Sequence, residues 1–76
     1  MKLSEAKAGY NVRVTSISGN HHLLSRLIGI GLAEGIKITV LQNIKGQPVI
    51  FYCRDSMIAL SPKDCNKIEV TQEDPS

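Results

Sequence analysis

Alternation of hydrophobic and polar residues is the clearest pattern in the chain, and a period of two predicts short β-strands. Residues 12–17 begin with apolar residues at every second position, but Ile17 then falls one position out of phase. A bulge or bend near residues 15–16 would absorb that slip. Residues 36–40 alternate without interruption and predict a second strand.

The second half of the chain predicts a hairpin and a final strand. Residues 49–53 are apolar on both faces, and residues 57–60 form another apolar run. The polar residues 54–56 between them suit a tight turn, so the two runs predict a hairpin. Residues 61–64 suit one helical turn, because a proline is tolerated at its first position. Residues 68–70 predict the last short strand.

One segment changes to the period of an α-helix. Four apolar residues recur at the spacing of a single helical stripe, namely Leu23, Leu24, Leu27 and Ile28. Asn20 is suited to cap this helix, and Gly29 and Gly31 are suited to end it after about two turns. Near the start of the chain, residues 3–9 predict a shorter helical turn capped by Ser4.

The predicted order is therefore one strand, one helix and four further strands. Five short strands cannot form a two-sheet sandwich of immunoglobulin size, whereas closure into a small barrel removes exposed edges. We therefore predict a mainly β fold, a small five-stranded SH3-like barrel with a short helical insertion after the first strand. We expect the barrel to span residues 1–70 and residues 71–76 to form a flexible acidic tail.

Composition narrows the classes of function. The 76 residues allow one domain. The net charge of +2 is spread without a basic cluster, and the only aromatic residues are two tyrosines and one phenylalanine. This disfavours nucleic-acid binding, which uses clustered cations and aromatic stacking platforms. Two cysteines without a CxxC spacing indicate a reducing compartment, the cytoplasm, and no apolar run is long enough to cross a bilayer.

No arrangement of side chains points to catalysis. A nucleophile needs a base within reach and the base needs an orienting group, and neither His21 nor His22 has a recognisable partner of this kind. We expect that the protein is not an enzyme and that it requires no cofactor. Weak binding of Fe²⁺ or Zn²⁺ is the metal hypothesis, with His21, His22 and Cys65 as candidate ligands. Adjacent helical residues point about 100° apart, which disfavours chelation of one ion by both histidines.

Residues 26–40 contain a more specific pattern. An Arg-Leu pair is followed by a Gly-Ile-Gly-Leu motif, and Gly35 then opens an alternating strand. This combination resembles the FeoA family, ferrous iron transport protein A, and the order of the other segments of the barrel is similar to that of the family. Three residues stand where the family commonly has glycine, arginine and alanine: Asp55, Ser61 and Cys65.

The resemblance implies an SH3-like barrel with a helical insertion, in a small cytoplasmic protein. It implies FeoB as the partner, a membrane transporter of ferrous iron with a cytoplasmic G domain, and regulation of that transporter by protein contact. The chain would be peripheral to the membrane only through this partner. A similar domain occurs at the C-terminus of iron-dependent repressors, but this sequence has no winged-helix segment, and we expect no nucleic acid as a partner.

We expect the docking surface for FeoB on the helix and the glycine-rich loop that follows it. Seven residues are assigned to this surface: Leu23, Arg26, Leu27, Gly29, Gly31, Leu32 and Gly35. Arg26 could act as an arginine finger on the G domain, or it could pair with an acid on its own surface. Two alternatives stay open, a metal-responsive domain that self-associates as a homo-oligomer and a small RNA-binding barrel.

Overall fold

Five strands and two helices lie within residues 1–73, the part of the chain that this computed structural model describes. The strands are β1 (Asn11–Ile17), β2 (Lys37–Gln42), β3 (Val49–Cys53), β4 (Ser56–Leu60) and β5 (Ile68–Gln72). The helices are α1 (His21–Gly29) and α2 (Pro62–Cys65), and a 3₁₀ turn at Leu3–Glu5 precedes all of them. This order confirms the predicted mainly β fold with a helix inserted after the first strand.

The five strands form one antiparallel sheet in the order β4-β3-β2-β1-β5. The β1–β5 pairing changes register between Val14 and Ser16, which confirms the bulge predicted from the phase slip at Ile17. The β2–β3 pairing changes register between Val40 and Gln42. Because a bulge increases the local twist and bends its strand, these two irregularities let so few strands curve around one core.

The predicted hairpin is formed by β3 and β4. Its two loop residues, Arg54 and Asp55, have positive φ angles of 51° and 65°. Two consecutive residues in this left-handed region are typical of a type I′ turn, whose twist matches that of the flanking strands. The Tyr52 hydroxyl donates a hydrogen bond to Asp55 Oδ1 at 3.3 Å, so the turn also has side-chain support.

Alternate residues of the strands face one shared core, together with side chains from α1, α2 and the loops. Its largest fully buried members are Phe51, Leu3, Leu27, Leu32, Ile38 and Ile68. Burial of each such side chain stabilises the fold by about 1.5–3 kcal/mol relative to leaving it in water. The core therefore consists mainly of aliphatic side chains, as the scarcity of aromatic residues requires.

Helix α1 is held at both ends by the predicted residues. Asn20 Oδ1 accepts a hydrogen bond from the Leu23 N–H at 2.9 Å, as a helix N-cap does. At the other end Gly31 has a φ of 97°, which ends the helix. Leu23 and Leu27 are buried, and this packing stabilises a helix of nine residues that is too short to form alone in water.

The N-terminal turn differs from its prediction. Ser4 lies inside the 3₁₀ turn, and Lys2 occupies the cap position. The Lys2 N–H donates to the Glu5 carboxylate at 2.8 Å, whereas the Ser4 hydroxyl donates to Asn66 Oδ1 near the other end of the chain. Leu3 is completely buried, and its packing fixes the position of the turn two residues earlier than the capping preference of serine predicts.

Strand β5 extends further than predicted. Thr71 and Gln72, which we expected in the flexible tail, pair with β1. Glu73 accepts two hydrogen bonds from the Arg13 guanidinium, at 2.8 and 3.1 Å, and the Arg13 hydrogen bond lowers the pKa of the Glu73 carboxyl. The remaining residues of the predicted tail, 74–76, lie outside the described residues.

Candidate interaction surface

Two large apolar side chains are exposed where α1 ends. Ile28 is 63% exposed and Ile30 is 45% exposed. Leu23 and Leu27 are the side chains of α1 that are buried in the core. Ile28 and Ile30 therefore face outward at the carboxyl end of α1.

The tip of the β3–β4 hairpin lies beside this end of the helix. The Cys53 thiol donates to the Gly31 carbonyl oxygen at 3.6 Å, and a methyl group placed on Gly31 would lie 3.6 Å from Arg54 Cδ. We call Ile28, Ile30, Gly31 and Arg54 the helix–hairpin surface. It combines two exposed apolar side chains with one cation, the composition that recurs at the anchoring residues of protein interfaces.

Arg26 lies one turn before this surface and forms an ion pair. Its Nη2 lies 3.3 Å from Asp64 Oδ2 in α2. The arginine side chain is 67% exposed and that of Asp64 is 18% exposed. This contact agrees with the second interpretation of Arg26, in which it pairs with an acid on its own surface.

The predicted docking residues divide into two groups. Leu23, Leu27 and Leu32 are buried, so they position the surface from inside the core and are not available for contact with a partner. The exposed members are Arg26, Gly29 and Gly35, and Gly31 is half-buried. Gly35, with a φ of 89°, opens β2. The docking hypothesis is therefore kept for the exposed part of the segment.

The seven docking residues assigned from the sequence omit three members of the helix–hairpin surface: Ile28, Ile30 and Arg54. The sequence places Ile28 on the apolar stripe of α1 together with leucines, and periodicity alone does not show that it faces outward. Ile30 follows a helix-ending glycine, so helical periodicity does not include it. Arg54 was assigned to a polar turn, and its position beside Gly31 depends on a contact between residues that are far apart in the sequence. The motif that did mark the region is the run of glycines, because Gly31 is the point where the hairpin reaches the helix.

The three candidate metal ligands are not brought into a common site. Within residues 1–73 no group of three or more His, Cys, Asp or Glu side chains is arranged to hold a metal ion. His21 and His22 are exposed at the start of α1. Cys65 is completely buried; burial, reinforced by Asp64, raises the pKa of its thiol to about 12, and the thiol donates to the Leu60 carbonyl oxygen at 3.7 Å. A thiol held protonated in this way is poorly suited to bind a metal.

The part of the chain that the structure describes has neither a pocket nor a membrane-spanning helix. No pocket is found among residues 1–73. Neither of the helices in this range is long and apolar enough to cross a membrane. A binding role for these residues would therefore involve an exposed surface, and the helix–hairpin surface is the candidate.

Solved structures of FeoA proteins are similar to the chain over almost its whole length. The crystal structure of an iron uptake regulatory protein (FeoA) superposes with a TM-score of 0.92 at 26% identity and covers 96% of this chain and 97% of that one. The solution structure of the FeoA protein from Chlorobium tepidum superposes with a TM-score of 0.89 at 31% identity. It covers 100% of this chain and 73% of that one.

A manganese-dependent transcriptional repressor shares the fold alone. Its TM-score is 0.88 at 17% identity, over 96% of this chain and 41% of the repressor. No curated protein matches the sequence. A family model described as the FeoA domain matches residues 1–72. With the two FeoA structures, this match confirms the predicted SH3-like fold and the predicted family: the chain belongs to the FeoA family.

Proposed function

We propose that the protein is a cytoplasmic accessory regulator of ferrous iron uptake that binds the cytoplasmic part of the FeoB transporter. Membership of the FeoA family, which is associated with ferrous iron transport, supports the pathway. The observation that carries the binding role is the helix–hairpin surface, where Ile28 and Ile30 stay exposed although a core of aliphatic residues lies directly beneath them.

The physical argument for binding is the position of these side chains. Complete burial of an isoleucine side chain is favourable by roughly 1.5–3 kcal/mol. Because the Ile28 side chain is mostly exposed in the isolated chain, most of this free energy is still available for binding a partner. Arg54 lies beside Gly31, the residue that follows Ile30, and its guanidinium offers a charged hydrogen-bond donor for a carboxylate or carbonyl group of the partner. Such a surface can bind another protein without a pocket and without a reactive group.

The test is a titration of the isolated FeoB cytoplasmic domain against the wild-type chain and two matched variants. Ile30→Ser removes an apolar side chain that is 45% exposed from the helix–hairpin surface. Ile44→Ser removes one that is 47% exposed from the β2–β3 loop, at the opposite end of β3 from the hairpin tip. We expect Ile30→Ser to weaken binding about tenfold or more and Ile44→Ser to change it less than about twofold.

Two outcomes would contradict the proposal. Absence of binding by the wild-type chain in calorimetry would remove the partner, and equal losses in the two variants would remove the surface. Thermal unfolding of both variants serves as the folding control, since both side chains are exposed.

The arginine finger is not included in the proposal, because Arg26 is paired with Asp64. An arginine finger has to reach the developing negative charge on the phosphate. We expect Arg26→Ala to leave the rate of GTP hydrolysis by the FeoB G domain unchanged. A decrease of tenfold or more in the rate stimulated by the chain would show that Arg26 leaves Asp64 and reaches the nucleotide.

A further inference from the structure

The two edges of the sheet are protected differently. At the β5 edge, the Val70 N–H donates to the Met1 carbonyl at 2.7 Å, the Met1 ammonium donates to the Val70 carbonyl at 3.0 Å, and Lys2 forms a bridge with Glu69. The N-terminal segment thus covers part of this edge. At the other end of the sheet order, β4 pairs with β3 and with no other strand of residues 1–73.

The hairpin geometry shows which backbone groups β4 leaves free. Cys53 and Ser56 flank the two-residue turn and form the first hydrogen-bonded pair, and such pairs alternate along an antiparallel ladder. The N–H and C=O groups of Met57 and Ala59 therefore point away from β3. Across residues 1–73, no hydrogen bond outside the β3–β4 ladder involves the backbone of either residue.

The side chains of β4 do not oppose pairing with another strand. The strand contains no charged residue and no proline, the two devices that commonly protect an edge. Met57 is 70% exposed and Ala59 is exposed, and both lie on the outer face of the sheet. We propose that β4 pairs antiparallel with β4 of a second copy of the chain, across a two-fold axis at Ile58.

Antiparallel pairing about Ile58 gives a hydrogen-bond partner to every free backbone group of Met57 and Ala59. Pairing about Ile58 places Met57 of each copy opposite Ala59 of the other, so the two outward-facing residues of each strand form two hydrogen-bonded pairs. The long methionine side chain then lies against the small alanine, and no large side chains collide on the outer face.

The residues that flank β4 carry balanced charge. Arg54 and Asp55 precede the strand, and Lys63 and Asp64 follow it in α2. Antiparallel pairing brings the start of one strand to the end of the other, so each end joins two flanks without net charge, and no net like-charge repulsion opposes the contact. A foreign strand could use the same backbone groups, but the match of Met57 with Ala59 at two positions is a property of the chain with itself.

A contact of five residues on each side is smaller than a standard interface, so we expect a weak dimer in fast exchange. The test compares the chain from about 20 µM to about 1 mM, the range in which such contacts are populated, in the presence of EDTA. We expect the sedimentation coefficient to rise toward that of a dimer and the amide resonances of Met57 and Ala59 to shift most with concentration.

Three variants locate the contact. Ala59→Pro removes an outward-facing N–H and breaks no bond to β3, and Met57→Lys places a charge on the edge. Both should abolish the concentration dependence. Tyr52→Lys places the same charge on the same face, on the neighbouring strand, and should change the association less than about twofold.

Several results would overturn the inference. One is a monomer over the whole concentration range in EDTA, which includes the case of a chain that associates only when EDTA is left out. Another is a set of concentration-dependent amide shifts centred on α1. Equal effects of Met57→Lys and Tyr52→Lys would show face-to-face contact instead of strand pairing. Because no transporter is present, the outcome does not depend on the proposed binding of FeoB. Melting temperatures show whether each variant is folded, and Met57→Lys keeps the test decisive if Ala59→Pro unfolds.

Discussion

The edges formed by β5 and β4 end the same sheet but differ in what their free backbone groups meet. At β5, the first two residues of the chain bind part of the row of outward-facing backbone groups. Arg13 and Glu73 form an ion pair at the carboxyl end of this strand. At β4, the outward groups of Met57 and Ala59 have no partner within residues 1–73. This small fold therefore covers part of one edge with its N-terminal segment, whereas the other edge keeps backbone groups that another strand could bind.

The largest expected difference between the edges is in amide hydrogen exchange. In a dilute sample, the Val70 amide should exchange roughly 1,000-fold or more slowly than in an unstructured peptide, because it opens only with much of the fold. The Met57 and Ala59 amides should exchange within about tenfold of the unstructured rate. Exchange measured by NMR tests this contrast, and strong protection of Met57 in dilute solution would show that its edge is covered.

The next largest effect concerns the residue that anchors the covered edge. Leu3→Ala creates a cavity below the N-terminal turn, since Leu3 is completely buried, and should lower the free energy of unfolding by about 2–5 kcal/mol. Urea denaturation measures this loss. Ile44→Ala, at an exposed isoleucine, is the control and should change stability by less than about 0.5 kcal/mol. A similar small change for Leu3→Ala would mean that the turn is not held by its core side chain.

A third prediction concerns α2, which connects the two edge strands. The folded state keeps the Cys65 thiol protonated up to a pKa of about 12, against an ordinary value of 9.0. The contribution of this thiol to the free energy of unfolding is fully present below pH 9. It is lost as the pH rises toward 12, by up to about 1.4 kcal/mol per pH unit. Cys65→Ala should reduce this alkaline slope in denaturation curves. An unchanged slope would show that other groups cause it.

The smallest effect is expected at the Arg13–Glu73 ion pair, because exposed ion pairs contribute little. The hydrogen bond from Arg13 lowers the pKa of Glu73 in the folded state. The contribution is present above the unfolded pKa, near 4.5, and is lost as the pH falls through the folded value. Glu73→Gln should flatten the acid slope of stability slightly. Glu34→Gln, at an exposed carboxylate outside the ion pairs of residues 1–73, is the matched control, and equal effects of the two substitutions in acid denaturation would show that the ion pair does not cause the change.

Local sequence patterns predicted the strands and the helix better than they predicted how these elements pack against one another. Asn20 was predicted as a cap because its short side chain can reach the free N–H groups of the next turn, and that interaction involves only neighbouring residues. The bulge before Ile17 was visible because a strand has a strict period of two. Ser4 was misassigned because the buried side chain of Leu3 outweighs a local capping preference.

The interaction surface could be predicted only in part. The glycines of the α1 segment marked the region, but periodicity could not distinguish leucines that fill the core from apolar residues that face outward. Leu27 and Ile28 are adjacent in sequence, yet one is completely buried and the other is 63% exposed. That distinction depends on how much of α1 the sheet can cover, which is a property of the tertiary fold.

The pairing of β1 with β5 also has a consequence for biosynthesis. Residues 11–17 leave the ribosome before residues 68–72, their partners, have been made. At typical rates of synthesis this interval lasts roughly 3–10 s. During that time β1 can have at most one of its two partner strands, because β5 is made last. The nascent chain therefore exposes the apolar side of its first strand until the last one arrives, and chaperones can bind it in that interval.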